Sequence, residues 1–276
     1  MKILLISFFF CFCAFSQSLQ VMNFNTMCDF CKGSHYFEYS QRLEKIQHIV
    51  ETYQPDLISL QELRSGQHVN KIFKNLPHYQ TVFSQYLLMD YADPTLAFNK
   101  EKFTLLDQGQ FWLGPKSGDF SLGWKIALPR QVHWVKLKFK DKVFIFASSH
   151  LDNRLENLIG SAKMINAFFS KFQVPILFAA DTNMTTDMKE YQVLVEGLFI
   201  NTFNLKESFK VKGAYQDDKD LCYLRKGKVF PACRVDHILI SQPKRWKVKE
   251  FSIDTNKYGK TFPSDHRPVI LSIELN

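Results

Sequence analysis

The chain has 276 residues, a formal net charge of +8, and 46% hydrophobic and 15% aromatic residues. That much apolar and aromatic content excludes a disordered polyelectrolyte and is enough to bury a large core. There is no repeat, no Gly/Ser or Pro-rich linker and no charged tail, so a tandem array is excluded and one large domain is expected.

The first residues, "MKILLISFFFCFCAFSQSLQ", carry one lysine, an apolar run of about a dozen residues and then Ala14-Phe15-Ser16. This is the layout of a cleaved secretory leader, residues 1–16, with the working domain over 17–276. The run is short for a membrane span, which needs about 20 residues, and no later run is long enough. The expectation is therefore an exported protein, extracellular or periplasmic, without a transmembrane segment and acting as a monomer. Four cysteines remain beyond the leader: Cys28, Cys31, Cys222 and Cys233. In an oxidising compartment an even number suggests disulfides, and neighbour pairing is the simplest of three connectivities. A zinc or redox role for "CDFC" is the alternative. It needs two further ligands at zinc spacing or a thioredoxin-like context, and the sequence offers neither.

In chain order, "LQVMNFNTM" reads as a strand and "EYSQRLEKIQHIVETY" as a helix, with Tyr39, Leu43, Ile46, Val50 and Tyr53 facing inward. Pro55 ends that helix, and "DLISLQEL" is the next strand. A short helix near "HVNKIFKNL" precedes strands at "YQTVFSQ", "PTLAFNK" and "FTLLDQGQFWL". "RQVHWVKLKF" and "KVFIFASSHL" form a hairpin about Lys140-Asp141. "LENLIGSAKMINAFFSKF" is a helix with Leu155, Leu158, Ile159, Ala162, Ile165 and Phe169 inward. "VPILFAADTN", a helix near "MKEYQVLVEGL", and strands at "RVDHILIS", "WKVKEFSID" and "RPVILSIEL" complete the pattern. Strands outnumber helices and the helices are scattered. Two sheets packed face to face with helices outside would bury all of this.

Polar residues sit at the strand ends: Asn25, Glu62, His150, Asp181-Thr182-Asn183 and Asp236. Glu62 follows a buried run, where a carboxylate needs a partner or a cation. Asp181 and Asn183 share one face of an extended segment, which suits a shared phosphate or metal and equally an Asx-rich turn. Asp236 lies within an apolar strand, where a histidine is the obvious partner. Asp265-His266 stands just before the last strand. Lys136, Lys138, Lys140 and Lys142 alternate with apolar residues, so they occupy one strand face, either a solvated outer surface or a phosphate track. Oxygen donors dominate this set, which favours Mg²⁺, with Mn²⁺ or Ca²⁺ as substitutes, over zinc. Two imidazoles beside a hard cation are what attack of water on a phosphoester requires.

Taken together and in order, "NFNTM", "DLISLQEL", "SSHLDN", "ILFAADTN", "RVDHILIS" and "SDHRPV" resemble the endonuclease/exonuclease/phosphatase superfamily, which includes deoxyribonuclease I and the bacterial sphingomyelinases. The resemblance implies an α+β, four-layer αββα sandwich of two mainly antiparallel sheets with helices on the outer faces. It implies that Asn25, Glu62 and Asp265 bind metal and that His266 is the general base, polarised by Asp236. Asp181 and Asn183 would orient water and phosphate, and His150 would stabilise the phosphoryl oxygens or act as acid. The stretch from "FWLGP" through "LGWKIALPR" is similar to a bacterial branch of the family and implies a phosphate contact by Arg130; Trp112 and Trp124 are read as core. Departures are Ala180 for the family's glycine, His237 for its tyrosine, Ser149 for its threonine, and Leu158 for the branch's arginine, which Arg154 could replace. The activity implied is phosphodiester hydrolysis. Nucleic acid is the first candidate substrate, and an anionic or choline phospholipid or an inositol phosphate the alternative.

Overall fold

The computed structural model describes residues 18–31, 38–86, 89–116, 119–208, 210–212, 234–259 and 262–276. The leader and the Cys222–Cys233 pairing expected from the sequence lie outside these residues. Among the described residues, no helix is long and apolar enough to cross a membrane.

Strand β1 (Leu19–Asn25) is followed by helix α1 (Tyr39–Tyr53) and by β2 (Leu57–Gln61), which runs parallel to β1 with Asn25 opposite Gln61. Gln54 closes α1 in the left-handed conformation, its N–H bonded to the Val50 carbonyl at 2.8 Å, and Pro55 prevents continuation. Helix α2 (Gly66–Phe73), then β3 (Tyr79–Tyr86), β4 (Met89–Asn99), β5 (Thr104–Trp112), β6 (Gln131–Phe139) and β7 (Lys142–His150) follow. A second parallel crossover joins β7 through α3 (Leu155–Phe169) to β8 (Ile176–Asp181), with His150 opposite Asp181. Helix α4 (Lys189–Gly197), the short β9 (Ile200–Asn201) and β10 (Lys210–Lys212), and then β11 (Asp236–Ile240), β12 (Trp246–Ile253) and β13 (Val269–Leu275) complete the chain.

The strands make a seven-stranded sheet, β10-β12-β13-β1-β2-β4-β3, and a six-stranded sheet, β5-β6-β7-β8-β11-β9. Alternation along each strand divides the core into three layers. Leu19, Val21, Leu57, Phe144, Phe146, Leu177 and Ile238 pack between the sheets. Met22, Phe24, Ile58 and Leu60 meet α1 and α2 on one outer face, and Ile145, Phe178 and Leu239 meet α3 and α4 on the other. This is the four-layer sandwich that the resemblance implied.

The inner face of each strand becomes polar toward one end. Leu19 and Val21 give way to Asn23 and Asn25, Leu57 to Ser59 and Gln61, and Phe144 and Phe146 to Ser148 and His150. Several of these buried polar groups bond to one another, within and across the sheets. The Ser59 and Ser148 hydroxyls are 2.6 Å apart, Ser59 donates to the Ala179 carbonyl at 3.0 Å, and Gln61 Nε2 donates to Asn23 Oδ1 at 3.0 Å. Gln61 Nε2 also donates to the Ser59 hydroxyl at 2.7 Å, which joins these groups into a connected polar floor beneath the strand ends.

Three local expectations differ from the structure. Leu155, read as inward, is 54% exposed at the first position of α3, and Asn157 and Ser161 join Leu158, Ala162, Ile165 and Phe169 on the buried face. Trp124 is not core but 37% exposed; one ring face lies against Gly160, where a Cβ would come within 2.5 Å of it. Asp265 and His266 do not begin a strand. They lie in a bend, and β13 starts at Val269. Trp112 is buried as expected.

Candidate active site

The two parallel crossovers bring the C-terminal ends of β1, β2, β7 and β8 to one edge of the sandwich, and antiparallel β11 adds its first residue, Asp236, opposite Asp181. Asn25 joins the two sheets: its Nδ2 donates to Glu62 Oε1 and to Asp181 Oδ2, both at 2.8 Å. Its Oδ1 accepts from Met27 N at 2.9 Å, so this amide presents nitrogen to the carboxylates and oxygen to the following loop.

Two imidazoles flank Asp181. His266 Nδ1 lies 2.7 Å from Asp236 Oδ2, and its Nε2 lies 3.7 Å from Asp181 Oδ2. His150 Nδ1 lies 2.9 Å from Asp93 Oδ2, and its Nε2 lies 3.6 Å from the same Asp181 oxygen. In each ring the aspartate fixes Nδ1 as the donor and turns Nε2 toward Asp181. Asp93, His150, Asp181, Asp236 and His266 are all buried, and Asn25 is fully so.

Ser264 sets the position of His266. Its hydroxyl donates to the Asn25 carbonyl at 2.7 Å and accepts from the His266 N–H at 3.0 Å. Asn183 follows Asp181 in the left-handed region at φ 52°, with its N–H on Asp181 Oδ1 at 2.9 Å and its Nδ2 on the Leu151 carbonyl at 2.8 Å. Asparagine tolerates that conformation. Glu62, at φ 65°, does not adopt it readily and carries on the order of 1 kcal/mol of backbone strain. That turn sends its carboxylate toward Asn25 after the strand ends.

Asp93 was absent from the sequence-derived set and is central to the site. Its carboxylate receives His150 Nδ1, Arg130 Nη1 at 3.1 Å and Glu62 N at 3.1 Å. Burial alone would push this carboxyl up, but the charges and hydrogen bonds of His150, Arg130 and the Glu62 amide outweigh it and hold Asp93 below the usual carboxylate range. Its sequence signal is topological. β4 is antiparallel to β2 with Leu60 opposite Thr95, so the residues of β4 just before Thr95 lie beside those leaving β2. Arg42 was also missed. It is fully buried in α1 and donates to the carbonyls of Met27 at 3.0 Å and Cys28 at 2.6 Å. It sits one position before Leu43, on the apolar stripe of α1, and an arginine there is the readable sign of a buried polar loop.

Arg130 thus reaches the site through Asp93. Asp265 sits beside His266, half-buried, and joins neither of two groups about Asp181 whose ligand atoms lie within 4.8 Å of one another: Glu62, His150 and Asp181, and Asp181, Asp236 and His266. The donor set fits a hard divalent cation. It is oxygen-rich, Asp181 is common to both groups, and Asp236 Oδ1 is buried with no hydrogen-bond partner among the described residues. The lysine row lies elsewhere. Lys138 is opposite Val143 near the start of β7, on the order of 20 Å from His150 at ~3.3 Å per residue. His237, on the other face of β11 from Asp236, is structural, bonded to the Met184 carbonyl at 3.0 Å and pushed down by burial to about 3.

No protein-family model matches the chain, and no curated protein matches it in sequence. Solved structures do. An endonuclease/exonuclease/phosphatase family protein from Bacteroides thetaiotaomicron shares 22% identity over 94% of this chain and 98% of its own, with a TM-score of 0.79. A mannosyl-6-phosphatase from the same organism shares 22% over 93% and 99%, with a TM-score of 0.77. TDP2 from D. rerio, complexed with a single-strand DNA product, shares 16% over 93% and 99%, with a TM-score of 0.67. With agreement over nearly the full length of each pair, this chain has the endonuclease/exonuclease/phosphatase fold.

Proposed function

We propose that the protein is a divalent-metal-dependent phosphoesterase that hydrolyses phosphodiester bonds. The observation that carries this reading is the arrangement about Asp181, a buried carboxylate between two imidazoles, each backed by its own aspartate. Glu62 and Asp181 would hold the cation, with Asp265 as a further oxygen donor; Asn25 would fix both carboxylates through its amide nitrogen, because its oxygen already accepts from the Met27 N–H. When bound, the cation would polarise the phosphoryl group and relieve the charge that builds on it.

The chain's own groups supply the rest. His266 donates from Nδ1 to Asp236, so Nε2 is the acceptor for the proton of the attacking water, and Asp236 stabilises the imidazolium that results. His150, held by Asp93, presents Nε2 to the phosphoryl or leaving oxygen. Arg130, anchored on Asp93, and the Asn183 side chain orient the phosphate. The buried floor of serines and glutamines beneath them keeps these groups in place without reorganisation.

Nucleic acid is the substrate we favour. The net charge of +8 suits a polyanion, and the TDP2 structure shows this fold holding a DNA product. A specific observation favours a second reading. In the segment before Arg130, Phe120, Leu122, Trp124, Ile126 and Leu128 are all exposed, the last two by 79% and 65%. The segment continues directly to the site, with Pro129 receiving the Tyr91 hydroxyl at 2.8 Å. An apolar lip of this size suits an amphiphilic phosphodiester such as a phospholipid. Export through a cleaved leader and action as a monomer belong to the same proposal. The Cys28–Cys31 disulfide is consistent with the first.

The test is a substrate panel of plasmid DNA, RNA, sphingomyelin vesicles, inositol phosphates and mannose 6-phosphate, each with Mg²⁺ and with chelator. Cleavage of DNA or RNA that chelator abolishes supports the favoured reading, and cleavage of vesicles alone supports the second. Undiminished activity in chelator removes the metal from the proposal.

A further inference from the structure

The CDFC segment does not belong to the catalytic groups, yet it lies against one of them. Cys28 and Cys31 form a disulfide, and their sulfurs lie within 4.8 Å of a Glu62 carboxylate oxygen. The two cysteines are joined by a tight turn, with the Cys31 N–H on the Cys28 carbonyl at 3.2 Å. The turn is anchored at its N-terminal side by two hydrogen bonds. Arg42 Nη2 holds the Cys28 carbonyl at 2.6 Å, and the Met27 N–H is on Asn25 Oδ1 at 2.9 Å. Cys28, Cys31 and Glu62 are each only partly buried, so solutes reach them.

A C-x-x-C turn whose sulfurs converge is a chelating unit for thiophilic divalent cations, and it lacks only further ligands. Sequence spacing offers none, because Glu62 is remote along the chain. The fold supplies it by setting the end of β2 beside the end of β1. We propose that Cys28, Cys31 and Glu62 form a site for a soft divalent cation of the Zn²⁺ or Cd²⁺ type, masked while the disulfide is closed and opened by its reduction. Filling this site draws Glu62 away from Asn25 and Asp181, so the metal acts as an inhibitor of reduced protein. This last step rests on the reading of Glu62 as a ligand of the catalytic cation; the binding itself does not.

The chemistry balances with a phosphine as reductant. The phosphine attacks one sulfur and the S–S bond breaks. Phosphorus ends as the phosphine oxide with its oxygen from water, and the water's two protons end on the two sulfurs. The soft cation then displaces both protons as two metal–sulfur bonds form, and the Glu62 carboxylate completes three protein ligands with a fourth position left for water.

The experiment uses the full chain carrying Cys222→Ser and Cys233→Ser, reduced with a water-soluble phosphine, desalted anaerobically and titrated with Cd²⁺. The expected result is a near-ultraviolet thiolate-to-metal absorbance that saturates at one Cd²⁺ per chain. It is absent from the oxidised protein and after Cys28→Ser with Cys31→Ser. Glu62→Gln should weaken the affinity at least about tenfold. The ¹¹³Cd resonance of the reduced protein, which needs no change at Cys28 or Cys31, should report two sulfur ligands. No absorbance on reduction, a ¹¹³Cd shift without sulfur, or unchanged affinity in Glu62→Gln overturns the site. Zn²⁺ should also suppress hydrolysis by the reduced protein at least tenfold while sparing the oxidised protein. Full activity with the site filled overturns the inhibition and leaves the binding standing. Absence of any hydrolysis would count against the phosphoesterase reading alone, because the Cd²⁺ titration does not depend on it.

Discussion

The two histidine–aspartate pairs look alike and are wired differently. Asp93 shares its carboxylate among His150, Arg130 and the Glu62 amide, so its charge is spread over three donors. Asp236 receives His266 on one oxygen, and its other oxygen has no hydrogen-bond partner among the described residues. A carboxylate whose charge falls on one imidazole strengthens that ring as a base, while one already neutralised by a guanidinium mainly fixes geometry. The comparison assigns the proton transfer to His266 and a positioning and charge-stabilising role to His150. It also separates catalytic loss from stability loss, because Asp93 holds a mostly buried arginine and Asp236 does not.

Substitutions can break or sharpen that contrast. His266→Ala should lower kcat/KM on the order of 10⁴-fold with an unchanged circular dichroism spectrum; retention of a tenth of the activity would remove His266 as the base. Asp236→Asn should follow at about 10³-fold, mostly in kcat, because the ring loses both its tautomer and its counter-charge. His150→Ala should cost about 10²-fold, the scale of one lost donor to a developing negative charge. Asp93→Asn inverts the order: activity should fall only about tenfold, while stability drops by on the order of 3 kcal/mol in a urea titration because Arg130 is left without its carboxylate. Equal kcat losses for Asp93→Asn and Asp236→Asn would make the pairs equivalent.

Smaller effects test the surroundings. His133 is buried between the sheets, with Nε2 3.0 Å from the Ser84 hydroxyl, and burial pushes it down to about 4. A depressed folded value means that its contribution to stability is complete above about pH 6.5 and is lost as pH falls toward 4. Urea midpoints from pH 8 to 4 should fall across that window by the equivalent of a few kcal/mol, roughly, and His133→Gln should flatten the slope. Lys138→Ala should change hydrolysis by less than about twofold at about 0.1 M salt and above, since a charge on the order of 20 Å away then lies beyond a Debye length of about 10 Å. A clear change in salt dependence would extend the substrate track to the far end of β7.

Much of the architecture was legible because it follows from local rules. The step of two along "FIFASSH" fixes which side chains point between the sheets, and the change from Phe144 and Phe146 to Ser148 and His150 marks the end that carries chemistry. The period-3.6 stripes of α1 and α3 were readable in the same way. What escaped was what depends on a neighbour. Asp93 precedes a proline within β4 and matters only because β4 runs antiparallel to β2. Arg42 broke an apolar stripe for the sake of carbonyls in the loop after β1. Leu155 and Trp124 fit an apolar pattern but stay partly exposed, Leu155 at the first position of α3 and Trp124 with one ring face against Gly160.

The sequence by itself determined the strands and helices, their inward faces, and a set of strand-end carboxylates and imidazoles suited to a hard cation, because backbone periodicity and donor chemistry are properties of short segments. Only the tertiary structure decided which aspartate serves which histidine, that Asn25 bridges Glu62 to Asp181 across the sheets, and that Glu62 also faces two sulfurs. Those contacts join residues far apart in the chain, and strand order and register, which no single segment encodes, set the distances between them.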